Sequence, residues 1–211
     1  MLPWIVLTVC SLATLLIAIK LKLQWLRAIA KTLASTGFLG VALSVGAADT
    51  SYGQIALAAL ALCWMGDVLL LGSSKGMFMA GLGVFLLGHV AFGVAFVSLG
   101  PDWLWVGAAA ALMTGLALVV GRWLLPHVAG RMRAPVIAYI AVISGMTALA
   151  AGAVGAGATP WVLVGAVAFF VSDLGVARNR FVATAFINRA LGLPLYYAAT
   201  TILAATAGGA L

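Results

Sequence analysis

Eight apolar runs follow one another along this chain, at about residues 3–19, 32–48, 55–71, 77–99, 103–120, 135–155, 161–177 and 183–207, each bounded by Gly, Pro or charge. A helix needs about 20 such residues to cross the hydrocarbon core of a bilayer. In hydrocarbon, only a helix or a closed barrel satisfies its own backbone polar groups. The succession predicts an all-α integral membrane protein, a single bundle of eight transmembrane helices spanning residues 1–211, with little chain left for an extramembrane domain. Composition closes the alternatives. With 65% of residues hydrophobic, 7% charged and only four acids (Asp49, Asp67, Asp102 and Asp173), there is too little polar surface to cover a soluble globule. The same apolar saturation excludes a disordered chain.

The net charge of +7 is not a nucleic-acid footprint, because the cations are scattered between apolar runs instead of gathered on one face. Lys20, Lys22, Arg27, Lys31, Lys75, Arg122, Arg131, Arg133, Arg178 and Arg180 all follow odd-numbered runs, and the connections near Asp49, Pro101 and Thr159 carry no Lys or Arg. Under the positive-inside rule this predicts a bacterial inner-membrane protein with both termini on the non-cytoplasmic side. Met1 to Trp4 lack a basic n-region, so the first run reads as a retained helix and not a signal peptide. Cys10 and Cys63 lie inside apolar runs and read as buried packing residues. Pro101, Pro135 and Pro160 sit where helices are expected to begin, and Trp4, Trp25, Trp103, Trp105, Trp123 and Trp161 lie near run ends, as an interfacial belt requires. The 25 glycines, among them Gly81, Gly83 and Gly152 to Gly157, predict close helix packing, within one chain or between copies in a homo-oligomer.

Two of the four acids fall inside runs. Asp67 on the third and Asp173 on the seventh are expected about four residues from the cytoplasmic ends of parallel helices, so both carboxyls can face one cavity open to that side. A carboxylate there loses several kcal/mol of hydration unless paired or wetted, which makes intramembrane acids candidates for function. Arg189, with Asn188 beside it, is the expected counter-ion and a candidate phosphate ligand. Lys31 can point into the same cavity or simply snorkel to the interface. His89 is the one mid-bilayer imidazole, suited to a structural hydrogen bond or to a site. His127 reads as solvated. Two histidines so placed cannot supply a three-ligand zinc site, so neither a metal nor another cofactor is expected. No Gly-x-Ser-x-Gly occurs, and Ser172 reads as bonded back to its own helix, which leaves the paired carboxyls for acid and base work. A weak echo of Trp64 to Asp67 in Phe170 to Asp173 reads as two similar sites.

Four segments also carry a likeness. They are Gly66-Asp67 with the apolar Val68 to Leu71; Phe85, His89 and Phe92; Tyr139 and Met146; and Gly165-Ala166 through Phe169 to Ser172-Asp173, with Tyr196-Tyr197 fitting as well. From about residue 31 onward the chain resembles the lysoplasmalogenase family, also called YhhN-like, of multi-span membrane proteins. The resemblance implies hydrolysis of the sn-1 vinyl ether of a lysoplasmalogen to a fatty aldehyde and a glycerophospho-base. It implies Asp67 and Asp173 as the catalytic pair, with Lys31, His89, Tyr139, Asn188, Arg189 and Tyr196 contacting a lysophospholipid substrate that enters from the bilayer, its phosphate within reach of Lys31, Lys75 or Arg189. A proton-coupled transporter of a small solute is the alternative, since buried Asp, Arg and His also build proton relays. Against it, the runs show no inverted repeat and no matched pair of broken helices.

Overall fold

A computed structural model describes residues 1–209. Among them are eight long helices and no strand: α1 (Leu2–Lys20), α2 (Gln24–Ser44), α3 (Ser51–Leu69), α4 (Lys75–Ser98), α5 (Trp103–Leu124), α6 (Gly130–Gly155), α7 (Trp161–Ala177) and α8 (Phe186–Thr206). Short helical turns at Ala47–Asp49 and Leu125–His127 and a π-helical turn at Arg178–Val182 bridge some of them. The chain is an integral membrane protein: seven of the helices, α1 to α7, are long and apolar enough to cross a bilayer. The eighth has comparable length but is more polar, and the reason is its role. Asn188, Tyr196, Tyr197, Thr200 and Thr206 on α8 are all buried, so this helix turns its polar side chains inward.

Sequential helices form antiparallel hairpins, α1 with α2, α3 with α4, α5 with α6 and α7 with α8. α2 packs on α3 and α8, and α6 packs on α4 and α7. One apolar core runs through the assembly and includes Leu15, Phe38, Leu60, Phe92, Met146, Phe169 and Leu203. α5 stands apart. It packs chiefly on α6, and only Met113 and Leu124 along it are buried.

Boundary chemistry explains several helix starts and corrects others. Thr50, Ser74 and Asp102 each cap a helix by accepting a backbone N–H: from Gly53 at 2.9 Å, from Met77 at 3.1 Å, and from Leu104 at 2.8 Å. Asp102 is thereby explained as a cap. Pro160 is the cap residue of α7, but Pro135 lies inside α6, which begins at Gly130 instead of residue 135. α2 begins at Gln24 and not near residue 32, and α8 begins at Phe186 and not 183. In α2 and α6 the cations read as boundaries belong to the helices themselves. Cys10 is exposed on α1, contrary to the expectation of burial, whereas Cys63 is buried.

The glycines divide into two groups. At Gly53 an added Cβ would press on the backbone carbonyls of Ala47 and Ala207, and at Gly152 on Val106 and Pro101. These are close-approach positions. At Gly83 an added Cβ would meet nothing within 4 Å, so this glycine makes no close approach within the chain. Gly53→Ala is therefore expected to destabilise the protein by about 1–3 kcal/mol, the usual cost of overpacking against atoms that cannot yield. Gly83→Ala should leave thermal stability in detergent unchanged or slightly raised, since Ala is the better helix former. Equal melting temperatures for the two variants would contradict this division.

Candidate active site

α2, α3 and α8 meet around Asp67. The carboxyl is 2% exposed, and each of its contacts offers it a hydrogen or a positive charge. Lys31 Nζ lies 3.0 Å from Oδ1. Ser35 Oγ donates to Oδ2 at 2.6 Å, and the Tyr196 hydroxyl donates to the same oxygen at 2.7 Å. Tyr197 stands behind this shell, its hydroxyl 3.2 Å from Ser35 Oγ and 3.3 Å from the Lys31 carbonyl. Because α2 begins at Gln24, Lys31 lies about two turns inside the helix instead of opening it. Arg27, Lys31 and Ser35 recur at four-residue spacing, which puts them on one face, and that face is turned to the site.

Asp173 has a different setting, built from α4, α6 and α7. The Tyr139 hydroxyl donates to Oδ2 at 2.7 Å, and His89 Nε2 lies 3.5 Å from the same oxygen. On its other side His89 Nδ1 sits 2.7 Å from the Phe85 carbonyl. A carbonyl can only accept, so Nδ1 carries the hydrogen. Nε2 is then left as a buried lone pair without a hydrogen-bond partner, facing Asp173 Oδ2 at 3.5 Å. A proton on the Asp173 carboxyl would supply Nε2 with the donor it lacks. Ser172 Oγ donates to the Phe169 carbonyl at 2.8 Å, as its sequence context suggested, with Asp173 Oδ1 at 3.4 Å. His89 is packed between Phe169 and Tyr139, at ring separations of 4.5 and 5.2 Å.

Both carboxyls line a single cavity of about 430 Å³ at the basic end of the bundle, where Ile19, Arg27, Gly72, Phe78, Ala177 and Arg189 mark the helix ends. Lys31, Tyr139, Tyr196 and Asn188 line it as well. Arg189 does not serve as the expected counter-ion: Lys31 pairs with Asp67 and His89 with Asp173, while Arg189 occupies the first turn of α8 near the mouth. Asn188 has its amide engaged, accepting from Arg178 and donating to the Ala183 carbonyl at 2.6 Å, so it braces the π-helical turn. Lys75, exposed at the start of α4, does not line the cavity. Among the described residues no three His, Cys, Asp or Glu side chains gather as metal ligands.

Sequence reasoning missed Ser35, Tyr197, Arg27 and Arg180. Arg27 also lines the cavity, donating to the Leu70 carbonyl at 3.3 Å, and Arg180 lies over the Phe78 ring at 4.0 Å. The 27-31-35 spacing was the available signal for two of them.

The YhhN family model matches residues 26–207. The chain belongs to the YhhN family. It is 30% identical to the lysoplasmalogenase TMEM86A of Bos taurus over 149 residues, 68% of this chain and 60% of that protein. It is 38% identical to the lysoplasmalogenase of Mycobacterium tuberculosis over 136 residues, 60% of this chain and 49% of that one. The chain thus spans about half to three fifths of the length of these relatives. No solved structure matches it. All the residues described around the two carboxyls lie within the stretch matched by the YhhN family.

Removing one member of a buried ion pair strands the other charge, at a cost of about 3–5 kcal/mol. Lys31→Met should therefore lower the melting temperature markedly, and adding Asp67→Asn should recover much of the loss. Additive losses in the double variant would show that the two side chains are not coupled.

Proposed function

We propose that this YhhN-family chain hydrolyses the sn-1 vinyl ether of a lysoplasmalogen or a closely related lysolipid, releasing a fatty aldehyde and a glycerophospho-base. The observation that carries the reading is that two carboxyls, Asp67 buried beside a lysine and Asp173 half-buried beside an imidazole, line one cavity. Asp67 has donors on every side and is suited to act as an anion. Asp173 accepts from Tyr139 and faces the unpartnered His89 Nε2; protonated there, it is suited to give its proton. Such division of roles between two acids is what acid and base catalysis on an ether requires. The names of the relatives support the substrate class.

The chemistry balances without a redox step. The Asp173–His89 pair delivers its proton to the vinyl carbon remote from the ether oxygen, leaving an oxocarbenium ion beside it. Asp67, an anion in a cavity of low dielectric, stabilises that positive charge. Water adds to the cation and loses a proton to the site, and the hemiacetal breaks its carbon–oxygen bond. The proton released returns to the Asp173–His89 pair, so one water is consumed for each aldehyde. Tyr139 and Tyr196 hold the two carboxyls in place. Arg27 and Arg189, at the cavity mouth, are the side chains suited to the substrate phosphate. The positive-inside rule supports reading the basic loops as cytoplasmic in a bacterial inner membrane.

The test is aldehyde release by purified protein in detergent. Micelles hold no gradient, so turnover there also separates a hydrolase from a proton-coupled transporter. Asp173→Asn, and Asp67→Asn placed in the Lys31→Met background so that no charge is stranded, should each retain the fold and lose about a hundredfold or more in rate, the scale of acid and base contributions. Near-normal release from both would remove the proposal. Arg27→Gln is expected to raise KM for the phosphate-bearing substrate about tenfold with little change in kcat, as for a contact kept equally in ground and transition states. A kcat loss instead would place Arg27 at the reacting bond.

A further inference from the structure

A second concavity, about 910 Å³ in volume, lies along the seam of α5 and α6, outside the catalytic cavity. Its walls are mostly apolar and small, among them Ala110, Ala117, Ala141 and Gly145. From Ala110 to Arg122 it follows α5 for about 18 Å at 1.5 Å per residue, a length that suits a long hydrocarbon chain. Three observations distinguish it from an ordinary lipid-facing groove. Arg122 and Arg133 line its basic end, and neither is paired with a carboxylate among the described residues. Ile140 lines both this groove and the catalytic cavity. Ser144, one turn further along α6 on the same face, lines the groove, is 7% exposed, and has a buried hydroxyl with no hydrogen-bond partner. A buried orphan hydroxyl is costly unless something else fills its need.

We infer that the α5–α6 groove is the lateral portal through which the substrate's hydrocarbon tail passes between the bilayer and the catalytic cavity, crossing at Ile140. This rests on the lipid hydrolase reading given above. Arg122 and Arg133 meet the phosphate of the arriving single-chain lipid, and the tail lies along the small residues. Beyond Ile140, Arg27 and Arg189 receive the headgroup. Ser144, beside the crossing, offers its hydroxyl to the one acceptor that the departing aldehyde carries. α5 is suited to give way, since it packs chiefly on α6 and buries little of itself.

Gly145 provides the test, because an added Cβ there meets nothing within 4 Å, so Gly145→Phe directs a ring into the groove without touching the catalytic cavity. For a hexadecenyl lysoplasmalogen kcat/KM should fall about tenfold, the scale on which one misfitted apolar contact discriminates, while a water-soluble butenyl analogue should be hydrolysed as before. Gly83→Phe, at an equally open site on α4, is the control and should change neither. A parallel fall for both substrates, or none for either, would overturn the portal. A readout independent of hydrolysis is photolabelling of the unsubstituted protein with a lysophosphatidylcholine bearing a diazirine in its tail. Labels should concentrate on α5 and α6 and disappear from them in Gly145→Phe. Labels spread evenly over the lipid-facing helices would also reject the portal, whether or not vinyl ethers are cleaved.

Discussion

A carboxylate beneath the surface of a bilayer has to be met by donors, and no water-filled exterior is available to supply them. That requirement organises this bundle. Asp67 takes Lys31 and Ser35 from α2 and Tyr196 from α8, while Asp173 takes His89 from α4 and Tyr139 from α6. With their own helices α3 and α7, the two acids tie together every helix except α1 and α5. Those two are also the most lipid-exposed of the seven apolar helices. Electrostatic need thus sorts the helices into an inner group centred on the two acids and a periphery held mainly by apolar contact, with Thr8 donating to the Ala34 carbonyl and the Asp102 amide to that of Gly152.

Much of this was legible in the chain. Run length and hydropathy located every helix, and the scarcity of acids singled out Asp67 and Asp173, because evolution rarely keeps an intramembrane charge without use. What could not be read was partnership. Arg189 looked like the counter-ion because it shared an approximate depth with Asp173, yet partners are decided by how each helix is rotated about its axis, which hydropathy does not encode. Lys31 and His89 face the acids; Arg189 faces the mouth. Neutral hydroxyls were harder still. Ser35 and Tyr197 look like ordinary helix residues until α2 and α8 come together. Helix boundaries slipped in α2 and α6 because a cation was taken to mark the membrane edge, when Arg27 and Lys31 in fact lie on an inward stripe that α2 carries through its first turns.

The unlike surroundings of the two acids also bear on what kind of protein the bundle is. A relay that passes protons along a path gains from groups of similar affinity, each able to receive and release. Here the two acids differ: one is buried among donors from three side chains, the other is half-buried and faces an imidazole fixed by the Phe85 carbonyl. An arrangement of that kind favours a directed transfer to a bound molecule and a separate stabilisation of the charge that results.

The π-helical turn at Arg178–Val182 has a geometric consequence of its own. It joins α7, which carries the acid, to α8, which carries Arg189, and Asn188 braces it from within. Asp173 lies four residues, about 6 Å, before the end of α7. On the proposed reading, the turn therefore fixes the spacing between Arg189, the phosphate ligand, and Asp173, the acid. On that reading, lengthening or tightening the joint would offset the two side chains along a bound lipid while leaving both unchanged.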